Sequence, residues 1–116
     1  NDLYAAIDQY KAELGASFAG MPITLTEGGN WTPGQPIAAT GRYFLIAALK
    51  GLQGAYAYGH LPQEDGSHFG DGINGPQVTA LMQNLDSLNG AVICNGALLH
   101  DGRSWAVTQS GETFLY

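Results

Sequence analysis

The sequence predicts an α+β fold: a two-layer sandwich in which an antiparallel sheet packs with an N-terminal helix and a second helix near residues 76–88. Three observations lead there. Leu3, Ala6, Ile7, Tyr10 and Leu14 recur at helical spacing, and Val78, Leu81, Met82, Leu85 and Leu88 do so again. After residue 90 the pattern changes to short apolar runs divided by Asn-Gly and Asp-Gly, pairs that favour tight hairpins.

Each element has a local reason. Asp2 to Leu14 reads as an amphipathic helix with Asp8, Gln9, Lys11 and Glu13 facing water. Asn1 or Asp2 can cap its start, and Gly15 suits its end. Met21 to Thr26 alternates Ile23 and Leu25 with Thr24 and Thr26, as a half-buried strand does. Glu27 to Pro36 carries glycines and prolines throughout and reads as a loop, with Trp31 inside it.

The central stretch, Thr40 to Leu61, admits two readings. Tyr43 to Leu49 is a continuous apolar run, which a buried strand and a buried helix share. Ala55 to Leu61 alternates, and Gly51 and Gly54 break the chain between the two, so a hairpin over residues 42–58 is expected. Thr40 as a cap and the Ala47-Ala48 pair argue for a helix instead. Pro62 to Gly75 forms a second long loop, and Pro76 opens the next helix. A meander follows: strands at Ala91–Cys94, Ala97–His100 and Ser104–Gln109, turns at Asn95-Gly96 and Asp101-Gly102, and an optional last strand at Glu112–Tyr116. The order of elements is similar to that of small two-layer modules such as roadblock, profilin-like and secretion-chaperone domains; no motif is shared with them.

At 116 residues the chain is read as a single domain, residues 1–116, long enough to bury a core. Charged residues make up only 12 % of it, about half the usual level. A net charge of −6 with four basic residues disfavours nucleic acid and anionic membranes. No apolar run approaches the length of a membrane span, so no membrane insertion is expected. The single cysteine, Cys94, excludes an intrachain disulfide and is expected to be a small buried hydrophobe. The chain opens at Asn1 without a methionine, which reads as a processed or shortened form.

The chemistry-bearing residues crowd into the second loop, where His60, Glu64, Asp65, His68 and Asp71 fall within twelve positions. Imidazoles and carboxylates are ligands for zinc, and Asp65, Asp71 and Asn74 offer oxygen to calcium. The spacing matches no established metal motif, and a solvated acidic turn with two surface histidines explains it better. No nucleophile motif, phosphate loop or dinucleotide fingerprint is present, so catalytic residues are not assigned. Aromatic residues carry the stronger suggestion. Trp31, Tyr56, Tyr58, His60 and Phe69 can build a binding surface, with Tyr56, Tyr58 and His60 on one face of an alternating segment.

The sequence therefore points to a non-catalytic binding or assembly module, meeting a protein partner or itself as a homo-oligomer, without a required cofactor. A small metal-assisted hydrolase using zinc or calcium at residues 60–71 is the second reading. A structural subunit of a filament or virion-like assembly is the third.

Overall fold

The computed structural model describes residues 2–28, 37–56 and 75–116. The chain forms helix α1 (Asp2–Leu14), strand β1 (Thr24–Leu25), helix α2 (Ala38–Leu49), strand β2 (Gly54–Ala55) and helix α3 (Gly75–Leu85). Strands β3 (Ile93–Leu98), β4 (Ser104–Thr108) and β5 (Thr113–Leu115) complete it. This is the expected α+β architecture: α2 and α3 lie on one face of the antiparallel sheet β3-β4-β5, and a short parallel pair, β1-β2, stands apart.

The hairpin expected over residues 42–58 is a helix followed by a short strand. Helix α2 buries Thr40, Gly41, Tyr43, Leu45, Ile46 and Ala47, positions that fall on nearly every side of it. A helix covered all round has no polar stripe, so its sequence loses the periodicity that would distinguish it from a strand. The glycine taken as part of a hairpin joint instead follows the C-cap of α2, Lys50. Gly51, at φ 66°, donates to the Ala48 carbonyl at 3.0 Å, and Leu52 donates to the Ala47 carbonyl at 3.0 Å. That pair of bonds is a Schellman motif, which satisfies two carbonyls the last turn would leave open. Helix α2 then serves as the crossover that lets β1 and β2 run parallel, with Thr24 beside Gly54 and Leu25 beside Ala55.

Helix α1 starts and ends as its sequence suggests, and Gly15 adopts φ 69° beyond its last turn. Among its described side chains Ile7 is the one that is buried, and Tyr10 stays 53 % exposed. The helix is also held by charge. Lys50 at the end of α2 lies 2.6 Å from the Asp8 carboxylate and 3.5 Å from the centre of the Tyr4 ring. Lys11 donates to the Lys50 carbonyl, placing a cation on the negative end of the α2 dipole.

The second helix matches its expected position, with α3 continuing as a 3-10 turn over Asp86–Leu88. Leu81 and Leu85 meet Leu45, Ala106 and Phe114 in the main core, with Phe44, Leu49, Leu88 and Ile93 around them.

In the sheet, Asn95-Gly96 is not a turn. Strand β3 runs straight through it, with a register shift between Ile93 and Asn95 where two residues oppose one on β4. The turn at Asp101-Gly102 is present, with Gly102 at φ 84° donating to the Leu99 carbonyl at 3.0 Å. Asp101 accepts from the Arg103 backbone N–H at 3.0 Å and pairs with its guanidinium at 2.6 Å, which holds the carboxyl below its usual range. A further turn at Ser110-Gly111 leads into β5, so the optional last strand is real. The bulge also turns Cys94 outward, and the thiol expected in the core is exposed.

Two glycines set how closely α2 lies on the sheet. A β carbon on Gly41 would sit 2.5 Å from the Tyr116 ring, and one on Gly96 would overlap the Leu49 side chain. At both points only hydrogen leaves room for the layers to meet.

Candidate binding surface at Tyr56

Tyr56 follows directly on β2 and is held firmly by its backbone. Its N–H donates to the Leu25 carbonyl at 3.0 Å, extending the parallel ladder by one bond. Its carbonyl accepts from the Tyr43 hydroxyl at 3.0 Å. Burial of the Tyr43 phenol raises its pKa above the ordinary value, so the hydroxyl keeps the proton it donates. Tyr56 as a whole is 63 % exposed. A fixed backbone thus presents a large aromatic side chain to solvent.

Beside that ring runs a groove of about 520 Å³ between α2, β2 and α3. Phe44, Ala48, Met82, Leu85 and Leu88 form its apolar walls, and among the described residues Asp86 is the one charged residue lining it. Met82 is 42 % exposed, although the helical stripe assigned it to the core. Leu81, Leu85 and Leu88 already complete that stripe, and Met82 lies one position to its side. The redundancy was the available signal that this side chain points elsewhere.

Of the residues named from sequence as binding or metal candidates, Tyr56 alone is described. Trp31, Tyr58, His60, Glu64, Asp65, His68, Phe69 and Asp71 lie outside the described residues, as does the continuation of the alternating segment beyond residue 56. Among the described residues no group of histidine, cysteine, aspartate and glutamate could hold a metal ion. Cys94 is exposed, and Ser110 pairs with Thr108 at 2.9 Å rather than with an imidazole. No described helix is long and apolar enough to cross a membrane.

The described fold and surface define a small α+β domain with an aromatic-flanked apolar groove. Comparison of the chain with protein-family models, with characterised proteins and with solved structures gives no match.

Proposed function

We propose that this chain is a non-catalytic binding and assembly module whose aromatic surface, centred on Tyr56, engages a protein partner or a second copy. The observation that carries the reading is the exposure of the Tyr56 ring on a backbone fixed from both sides. Tyrosine offers wide contact area with few rotatable bonds, and tyrosines recur among residues that dominate binding energy. A backbone already ordered spares the complex part of the entropy cost of association. The groove beside the ring suits an apolar side chain delivered by an extended or helical segment.

Selection of displayed peptides against the wild-type domain, followed by affinity measurement on Tyr56→Ser, tests this. Binders are expected to carry an apolar anchor and to lose tenfold or more on the variant. Selected peptides that bind both proteins equally would remove Tyr56 from the surface. The metal-assisted reading, with His60, Glu64, Asp65, His68 and Asp71 as ligands, has no observation among the described residues in its favour. Elemental analysis for zinc and calcium decides it: a stoichiometric metal released by both His60→Ala and His68→Ala would revive that reading.

A further inference from the structure

We propose that the apolar trough between α1 and β1 binds a monomeric fatty acid, its carboxylate on the Lys11 ammonium and its acyl chain laid along α1. The site is separate from the Tyr56 groove and does not depend on the reading above.

The trough follows from how little of α1 is covered. Its apolar stripe runs Leu3, Ala6, Ile7, Tyr10 and Leu14, yet among its described side chains only Ile7 is buried. The stripe lines a hollow of about 520 Å³ whose other wall is Met21 to Leu25. A second hollow of about 710 Å³ lies between the end of α1, the connection to β1, and Gly51 to Gln53 beyond α2. Leu14, Met21, Pro22 and Ile23 line both, so the two form one trough. From Leu3 to Lys11 it follows α1 for about 12 Å of helical rise. Met21, on the wall facing the helix, is 56 % exposed.

Charge decides what fills it. Among the described residues Lys11 is the one charged residue lining either hollow, and it lines only the second. Its Nζ donates to the Lys50 carbonyl, directly before Gly51, which keeps the ammonium at the wall of that hollow. An ammonium has three donors, and this bond uses one. Among the described residues no carboxylate pairs with it. Asp8 gives its Oδ2 to Lys50 at 2.6 Å, and Glu13, on the opposite side of α1, accepts from Gln9 at 3.0 Å. Lys11, Lys50 and Asp8 together leave one positive charge at this end of the trough. The more distant carboxylates of a chain of net charge −6 are screened beyond about 8–10 Å. A trough apolar along its length and cationic at one end fits a molecule charged at one end only. An apolar peptide brings nothing for Lys11 to meet, and any peptide lays polar backbone along the whole trough.

Isothermal titration calorimetry of the whole chain with decanoate, kept below its critical micelle concentration, reads the binding. The wild type is expected to bind one decanoate, and dodecanoate more tightly by about fourfold per added methylene. Lys11→Met keeps the aliphatic stem and should weaken decanoate tenfold or more while leaving decanol unchanged; Lys11→Arg should keep both. Ala6→Trp, at an exposed position on the trough wall, should abolish binding of both ligands, while Tyr56→Ser leaves it intact. Circular dichroism and melting temperature confirm that each variant folds, and Met21→Asp, on the facing wall, replaces Ala6→Trp if that variant does not. Absence of decanoate binding at millimolar concentration overturns the proposal. Equal loss of decanoate and decanol in Lys11→Met also overturns it, since Lys11 would then act only through its bond to Lys50. Binding kept in the trough variant and lost in Tyr56→Ser overturns it too, and moves the ligand to the other groove.

Discussion

The Leu49 side chain, in the last turn of α2, occupies the space that a β carbon on Gly96 would need. The same β carbon would stand 2.7 Å from the Trp105 carbonyl oxygen, a backbone atom that cannot swing away. Helix α2 and the sheet therefore meet directly at Gly96, where β3 carries no side chain.

Gly96→Ala is expected to destabilise the domain by about 2–3 kcal/mol, the upper range for an overpacked core. Urea unfolding measures it. The cost should be coupled to Leu49, so Gly96→Ala combined with Leu49→Ala should depart from additivity by about 1 kcal/mol or more. Strict additivity would mean that the two residues do not share this space.

Ser104 makes the opposite case. Its hydroxyl oxygen is fully buried on the inner face of β4 and has no hydrogen-bond partner among the described residues, while its backbone is paired in both directions with Tyr116. A buried hydroxyl without a partner costs about 1–3 kcal/mol. Ser104→Ala should leave stability unchanged or raise it by about 1 kcal/mol, seen as a higher melting temperature. A clear loss would show that the hydroxyl is satisfied.

Lys50 joins α1 to α2 through Asp8 and the Tyr4 ring. Lys50→Met keeps the aliphatic stem and removes the charge, so global stability should fall by only about 0.5–1 kcal/mol, the size of a part-exposed cation–π contact. Amide exchange in α1 should rise more than exchange in β4, because among its described side chains only Ile7 is left as a buried anchor. Uniform acceleration across both elements would place α1 in the same cooperative unit as the sheet.

Tyr43 and Tyr116 both have pKa values raised by burial. In the unfolded chain their phenols ionise near pH 10, before the folded chain releases those protons. Above that pH the unfolded state binds fewer protons than the native state, so stability falls as pH rises; below it, these two groups add no slope. Denaturant midpoints should be flat from pH 8 to about pH 9 and decline beyond about pH 10. Tyr43→Phe should flatten part of that decline. A profile identical to wild type would assign the loss to other groups.

Much of the fold could be read locally. Helices α1 and α3 were legible because each is covered on one side only, which leaves a stripe of period 3.6. The turn at Asp101-Gly102 was legible because its residue types supply both the backbone geometry and a local carboxylate acceptor. Helix α2 was obscured by burial on nearly every side, and Asn95-Gly96 misled because a glycine that suits a turn also suits a strand on which a helix packs closely. The candidate surface was half legible. Tyr56 was nominated from alternation, whereas Met82 and the groove walls come from different elements that only packing brings together.

By itself the sequence determined the mixture of helix and antiparallel strand, the limits of α1 and α3, and a weakly charged, acidic surface, because these follow from composition and from spacing within a few residues. Only the tertiary structure decided that residues 38–49 wind into a helix, that β1 and β2 pair in parallel across it, and that Gly96 yields its place to Leu49. Those outcomes depend on neighbours far away along the chain, and a stretch apolar on all sides carries no local mark of which neighbours it will meet.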